Sequence, residues 1–243
     1  MKGVLGHPLI RTFISLLLYI GIYYLLFHDL RSILLLVIVI VVHEAGHFIA
    51  MKWLGYSNVK MLFIPLLGAF VSGQPGHIHP VKKMVVLMSG PLPGILIGMI
   101  CGMIFSHNHQ HIYYQLALLF IFLNVLNLLP ISPLDGGQML ETLFFDSKKM
   151  VQTVFIVLSA IAITLIAYAT KHYALLFIII FLVLRVISIN KNDNNGRLEG
   201  DAKEEEEDYL IGNTGKAAFC LLWLLSMIMP MLTLIRIMYY YPF

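Results

Sequence analysis

Seven apolar runs dominate this 243-residue chain, at roughly 9–27, 32–52, 83–105, 112–130, 151–169, 173–189 and 216–237. Each is long enough, or nearly so, to cross about 30 Å of hydrocarbon as a helix of about 20 residues. Only 12% of the residues are charged and 59% are hydrophobic, whereas soluble domains carry about 25% charged and roughly 45–50% apolar residues. A water-soluble globule and a disordered chain are both excluded. The expected fold class is an all-α polytopic membrane protein of about seven transmembrane helices. The first run is expected to remain as a span, because Ile22–Leu26 lacks a small-residue cleavage pattern and a second run follows at once. Cys101 and Cys220 both lie in apolar runs, which gives neither a disulfide framework nor a Cys-based metal site. A net charge of +3 without a basic stripe offers nothing to nucleic acid.

The basic residues predict the orientation. With a cytoplasmic N-terminus, all of the 16 Lys and Arg fall on the cytoplasmic side except Arg31, Lys171 and Arg236. That bias follows the positive-inside rule and predicts an N-in/C-out chain. The two long connections differ in kind. Within 53–82, Met61–Gly73 is apolar but too short to span, and it contains Pro65, Gly68 and Gly73. It reads as a short re-entrant or β-like membrane-associated segment near 61–73. The 190–215 connection carries Asn-Asp-Asn-Asn-Gly and then Glu204–Asp208, the composition of a solvated acidic cytoplasmic linker.

Of the 13 Asp and Glu residues, only Glu44 and Asp135 fall at the expected membrane depth. An ionisable group there costs about 2.5–3.5 kcal/mol on insertion scales, so each needs a pairing or functional reason. Glu44 lies in His43-Glu44-Ala45-Gly46-His47, an HExxH sequence. On a helix, His43 and His47 stand one turn apart on one face, where both imidazoles reach a single cation, and Glu44 projects about 100° away. This is the zincin arrangement: two neutral His ligands beside a carboxylate that takes a proton from the attacking water. A chain with this His and Glu content would produce the motif by accident about once in a hundred. The rise of about 1.5 Å per residue puts His43 about 16 Å beyond Ser32 and His47 about 8 Å short of Lys52, in the cytoplasmic half of the second span.

A catalytic zinc needs a third protein ligand and an open position. Phe48–Tyr56 offers no further His, and Asp135 is the best remaining donor. It follows Asn127-Leu-Leu-Pro130-Ile-Ser-Pro133-Leu134 and precedes Gly136-Gly137, at the cytoplasmic end of the fourth span. The prolines break the helix ahead of it, and a broken helix holding an acid at membrane depth suits a site that lines a cavity. The plainer alternative is an Asp that caps a short interfacial helix.

HExxH in an early span, the Gly/Pro-containing loop Phe63–Gly73, Ser89-Gly90-Pro91 and Asn-x-x-Pro-x-x-Pro-Leu-Asp-Gly at 127–136 together resemble the site-2 protease family of intramembrane zinc metalloproteases. Over about residues 7–145 the chain looks closest to the sporulation branch that cleaves a membrane-tethered pro-sigma factor. The resemblance implies His43, His47 and Asp135 as ligands of one Zn2+, Glu44 as general base, and Asn127 near the substrate. It also implies a membrane-associated sheet that the substrate can join as an extended strand. The expected organisation is a metalloprotease core at 1–145, two further transmembrane helices at 146–189, the acidic linker at 190–215 and a C-terminal transmembrane helix at 216–243. The cytosolic regulatory domain of that branch is not expected after Phe243, so its nucleotide sensing and its substrate are not carried over.

The expected function is hydrolysis of a peptide bond within or near the transmembrane segment of a membrane-tethered substrate. The expected place is a bacterial cell membrane, with the active site toward its cytoplasmic half and a regulatory membrane partner. Two other classes compete. A divalent-metal carrier needs ligands on several spans and a path through both leaflets, whereas the available ligands share one depth. A catalytically silent protein that binds a membrane partner has no use for Glu44. His77 and His79 follow the re-entrant run on the cytoplasmic side and read as solvated loop residues, with modulation of access as the alternative, whereas His107, His109 and His111 lie on the opposite side of the membrane and are not expected to supply a ligand.

Overall fold

A computed structural model describes residues 8–65, 68–74, 79–130, 134–144 and 211–240, together with the single positions 153 and 157. The expected spans at 151–169 and 173–189 and nearly all of the acidic linker lie outside the described residues. The described chain is mostly helical and divides into two compact units, one of residues 1–128 with 217–243 and one of residues 129–216.

In the first unit, α1 (Pro8–Phe27) and α2 (Leu30–Trp53) are joined by a tight turn through His28 and Asp29. Asp29 caps α2 by accepting from the backbone N–H groups of Arg31 and Ser32, so two of the donors orphaned at a helix start are satisfied. Hydrogen bonding from the Ser32 side chain first, then from the Ser32 and Arg31 backbone N–H groups, holds its carboxyl below the usual carboxylate range. Next come β1 (Ser57–Ile64) and β2 (Gly68–Gln74), paired antiparallel from Ile64↔Gly68 to Ser57↔Gln74 with an irregularity between Ser57 and Lys60. The apolar segment 61–73 is therefore a hairpin, the β-like form of the sequence expectation. Pro65 leaves β1 in a turn, and Gly68 at the start of β2 adopts φ +106°, a conformation that L side chains rarely take.

The hairpin lies against α1 and α2. Thr12 Oγ1 of α1 donates to the Met61 carbonyl at 2.6 Å, and Ser15 Oγ accepts from the Phe63 N–H at 3.2 Å. Met61 and Phe63 are alternate residues, so both groups lie along one side of β1. The edge of β1 that faces away from β2 is thus engaged by α1. Phe63 packs with Tyr19, Ile33, Val37 and Ile40 in one core cluster.

The expected third span is two helices, α3 (Pro80–Ser89) and α4 (Pro91–Asn108). Gly90 separates them, and Pro91 and Pro93 tolerate the start of α4, where N–H groups have no intrahelical partner. His79 caps α3, its Nδ1 accepting from the Val81 N–H at 3.2 Å. α4 packs most extensively against α5 (His111–Asn127). The expected fourth span ends at Asn127 because Pro130 cannot extend it. α7 (Asn213–Tyr240) belongs to the first unit from Ala217 onward, and Trp223 Nε1 donates to the Leu128 carbonyl at 2.8 Å. Among the described residues, α1, α2, the α3–α4 pair and α7 are long and apolar enough to cross a membrane, and α5 is a shorter apolar helix.

The second unit contributes α6 (Asp135–Leu143). Its buried face comprises Asp135, Gly136, Gly137, Met139, Leu140 and Leu143.

Candidate metal centre

The HExxH residues sit where their spacing requires, on one helix. His43, Glu44 and His47 of α2 are 4%, 7% and 7% exposed. The two imidazoles meet edge to face with centroids 4.8 Å apart, and their Nε2 atoms are 3.1 Å apart.

What surrounds the rings decides the tautomers. His47 Nδ1 is 2.8 Å from the Val86 carbonyl of α3. A carbonyl only accepts, so that nitrogen carries the hydrogen. His43 Nδ1 is 2.8 Å from Asn124 Oδ1 of α5, another acceptor. Both Nε2 atoms therefore present lone pairs toward the same point. Two acceptors that close repel unless a cation lies between them. Two nitrogen ligands held about 2.0–2.1 Å from one tetrahedral zinc stand about 3.3 Å apart. The pair in the first unit therefore fits a shared metal, with each ring oriented through its other nitrogen as metal-bound histidines commonly are.

Two glycines permit this packing. A Cβ on Gly46, inside the motif, would collide with the Ser89 carbonyl oxygen and stand 3.1 Å from Gly90 Cα. A Cβ on Gly90 would meet the His47 ring, with Cε1 at 2.6 Å and Cδ2 at 2.8 Å. The α3–α4 junction thus lies against α2 with bare backbone, at distances real Cβ atoms do not tolerate.

Asp135 belongs to the second unit, where it is 9% exposed. It is the first residue of α6 and not its cap, which is Leu134. A negative charge there is favoured by the helix dipole. Within the first unit, His43 and His47 each offer one nitrogen donor that could hold a metal ion. Imidazole and carboxylate donors without thiolate suit zinc.

Asn127 donates through Nδ2 to the Leu123 carbonyl at 3.1 Å within α5. Sequence reasoning missed Asn124, which contacts His43 and is fully buried. The available signal was an amide in an apolar run, one turn before Asn127. The Val86 carbonyl left no signal, since every residue carries one.

Buried HExxH imidazoles within apolar helices define a membrane protein of the metallopeptidase class, and comparison with known proteins gives the family. The model of peptidase family M50 matches residues 31–109 and 102–169, more than half of the chain. The chain belongs to that family, which includes the site-2 proteases. Stage IV sporulation protein FB of Bacillus subtilis is 30% identical over 133 residues, 52% of this chain and 44% of that protein. A zinc metalloprotease of Methanocaldococcus jannaschii is 30% identical over 121 residues, 48% of this chain and 34% of that protein. The chain thus spans less than half the length of these two curated relatives. The solved structure of a site-2 protease from Methanocaldococcus jannaschii aligns with a TM-score of 0.47 at 20% identity, covering 72% of this chain and 86% of that one.

Proposed function

We propose that the protein is an intramembrane zinc metalloprotease that hydrolyses a peptide bond in or near the transmembrane segment of a membrane-tethered substrate. The observation that carries this reading is the pair of buried His43 and His47 Nε2 atoms, 3.1 Å apart, with both Nδ1 atoms committed to acceptors. Asp135 is the proposed third ligand, and one Zn2+ per chain the proposed stoichiometry. Zinc supplies Lewis acidity, which makes water a competent nucleophile near neutral pH and polarises the peptide carbonyl. Glu44 takes the proton of the attacking water and delivers it to the departing amide nitrogen. Its place on α2, about 100° from His43, keeps the carboxylate beside the site and off the ligand face.

A helical substrate hides its peptide bonds, so it must be held extended before it is cut. Because Thr12 and Ser15 engage the outer edge of β1, β2 is the strand proposed to receive the substrate by edge addition. Asn127 is proposed to contact the substrate near the scissile bond. The seven-span, N-in/C-out arrangement, the bacterial cell membrane and a site toward its cytoplasmic half remain part of the proposal. The charge asymmetry supports the orientation, the apolar runs the span count, and the family match at 31–169 the membrane setting. The division into a core at 1–145, helices at 146–189, a linker at 190–215 and a C-terminal helix at 216–243 is likewise part of the proposal. A membrane protein that gates substrate entry is the proposed regulatory partner.

The test is a comparison of membrane peptidomes from cells expressing wild-type protein or Glu44→Gln. Fragments cut within apolar segments should appear with the wild type and fall by about 10²-fold or more in the variant. Equal fragment yields from both proteins would remove Glu44 as the base.

A further inference from the structure

His43 can carry its hydrogen on either nitrogen, and only the Nδ1–H form offers a lone pair from Nε2. α2 does not make that choice, since its backbone carbonyls at this depth serve the helix. The acceptor comes from α5, where Asn124 Oδ1 stands 2.8 Å from His43 Nδ1. An amide can be turned end for end, which would put a donor where the acceptor must be. Here a second bond fixes the amide: Asn124 Nδ2 donates to the Phe120 carbonyl at 2.7 Å, one turn back on α5. Asn124 is 0% exposed, so water does not compete for either end.

The space for this amide comes from a third helix. A Cβ on Gly94 of α4 would stand 2.6 Å from Asn124 Cγ and 2.7 Å from Oδ1, with Nδ2 closer still. No side chain fits there without moving the amide away from His43. A neutral acceptor also serves where a carboxylate would add a buried charge to that of Glu44.

We propose that Gly94 and Asn124 form a clamp that fixes the Nδ1–H tautomer of His43 and so presents its Nε2 to the metal. This rests on the metalloprotease reading above. Asn124 acts through His43 and is a positioning residue, and Gly94 seats it.

The test uses full-length protein labelled with 15N-histidine, wild type and the variants Asn124→Leu, Asn124→Asp, Gly94→Ala and Asn124→Leu with Gly94→Ala. Imidazole 15N resonances of the zinc-free forms report the tautomer, and competition of a chelator for Zn2+ reports affinity. The wild type should show His43 as Nδ1–H, and Asn124→Leu should shift it toward Nε2–H and weaken zinc binding by about 10–100-fold. Asn124→Asp keeps an acceptor and should restore the Nδ1–H form and most of the affinity, a rescue that a merely structural role would not give. Gly94→Ala should act in the same direction, and the double variant should be no weaker than the worse single one, because both break one contact. An unchanged tautomer in Asn124→Leu would overturn the clamp, as would independent, multiplying losses from the two substitutions. A wild-type protein with the Nδ1–H tautomer and no affinity for zinc would instead overturn the metalloprotease reading while the tautomer clamp stood.

Discussion

Helices α2 and α7 each offer a 24-residue apolar stretch, Leu30–Trp53 and Thr214–Ile237, yet 44% of an 18-residue apolar window is buried inside the protein in the first and only 17% in the second. Apolar length puts a helix in the membrane; it does not say whether the helix faces lipid or protein. What separates the two is where polar groups sit and which partners reach them. In α2, the His43 and His47 rings are held by Asn124 of α5 and the Val86 carbonyl of α3. In α7, buried Trp223 and Ser226 serve structure: the indole donates to the carbonyl of Leu128 at the end of α5, and Ser226 donates to the Trp223 carbonyl. One helix spends its polar residues on a site and the other on anchoring itself. Substitutions in the two should therefore fail differently.

The largest contrast is expected at the bare backbone beside α2. Gly90→Ala puts a Cβ within 2.6 Å of His47 Cε1, so the ring must move. Proteolysis should fall by about 10²-fold, the scale set by a misplacement of about 1 Å in a catalytic group. Thermal unfolding in detergent should shift little by comparison, because the neighbour that yields is a side chain. Activity equal to that of the wild type would mean that the ring position is not critical.

A smaller and opposite effect is expected in α7. Trp223→Phe leaves the buried Leu128 carbonyl without its donor and should cost about 1–3 kcal/mol of stability. The proteolytic rate of the folded fraction should stay near that of the wild type. A large loss of rate with unchanged stability would show that α7 takes part in the chemistry, and the comparison would break.

Much of this division was legible in the sequence, and its gaps have physical causes. The bounds of α2, Leu30–Trp53, follow the run at 32–52 because Asp29 supplies the cap and apolar length does the rest. The hairpin at 57–74 was visible only as an apolar stretch too short to span and broken by Pro65. Its register depends on pairing with β2 and on the hydroxyls of α1, which no local pattern encodes. The break at Gly90 hid inside one continuous apolar run, since glycine and proline there serve close packing against α2 as much as chain direction. HExxH revealed His43, Glu44 and His47, because helical spacing alone sets their mutual geometry. Asn124 stayed hidden because its meaning comes from a contact 81 residues away in sequence.

The most direct test of the central claim is X-ray absorption at the zinc edge on purified full-length protein, with elemental analysis of the same sample. The expected result is one zinc per chain in a first shell of nitrogen and oxygen at about 2.0–2.1 Å, without sulfur, lost on His43→Ala or His47→Ala. Protein that binds no stoichiometric metal, or holds it equally well after both histidines are replaced, would contradict the account.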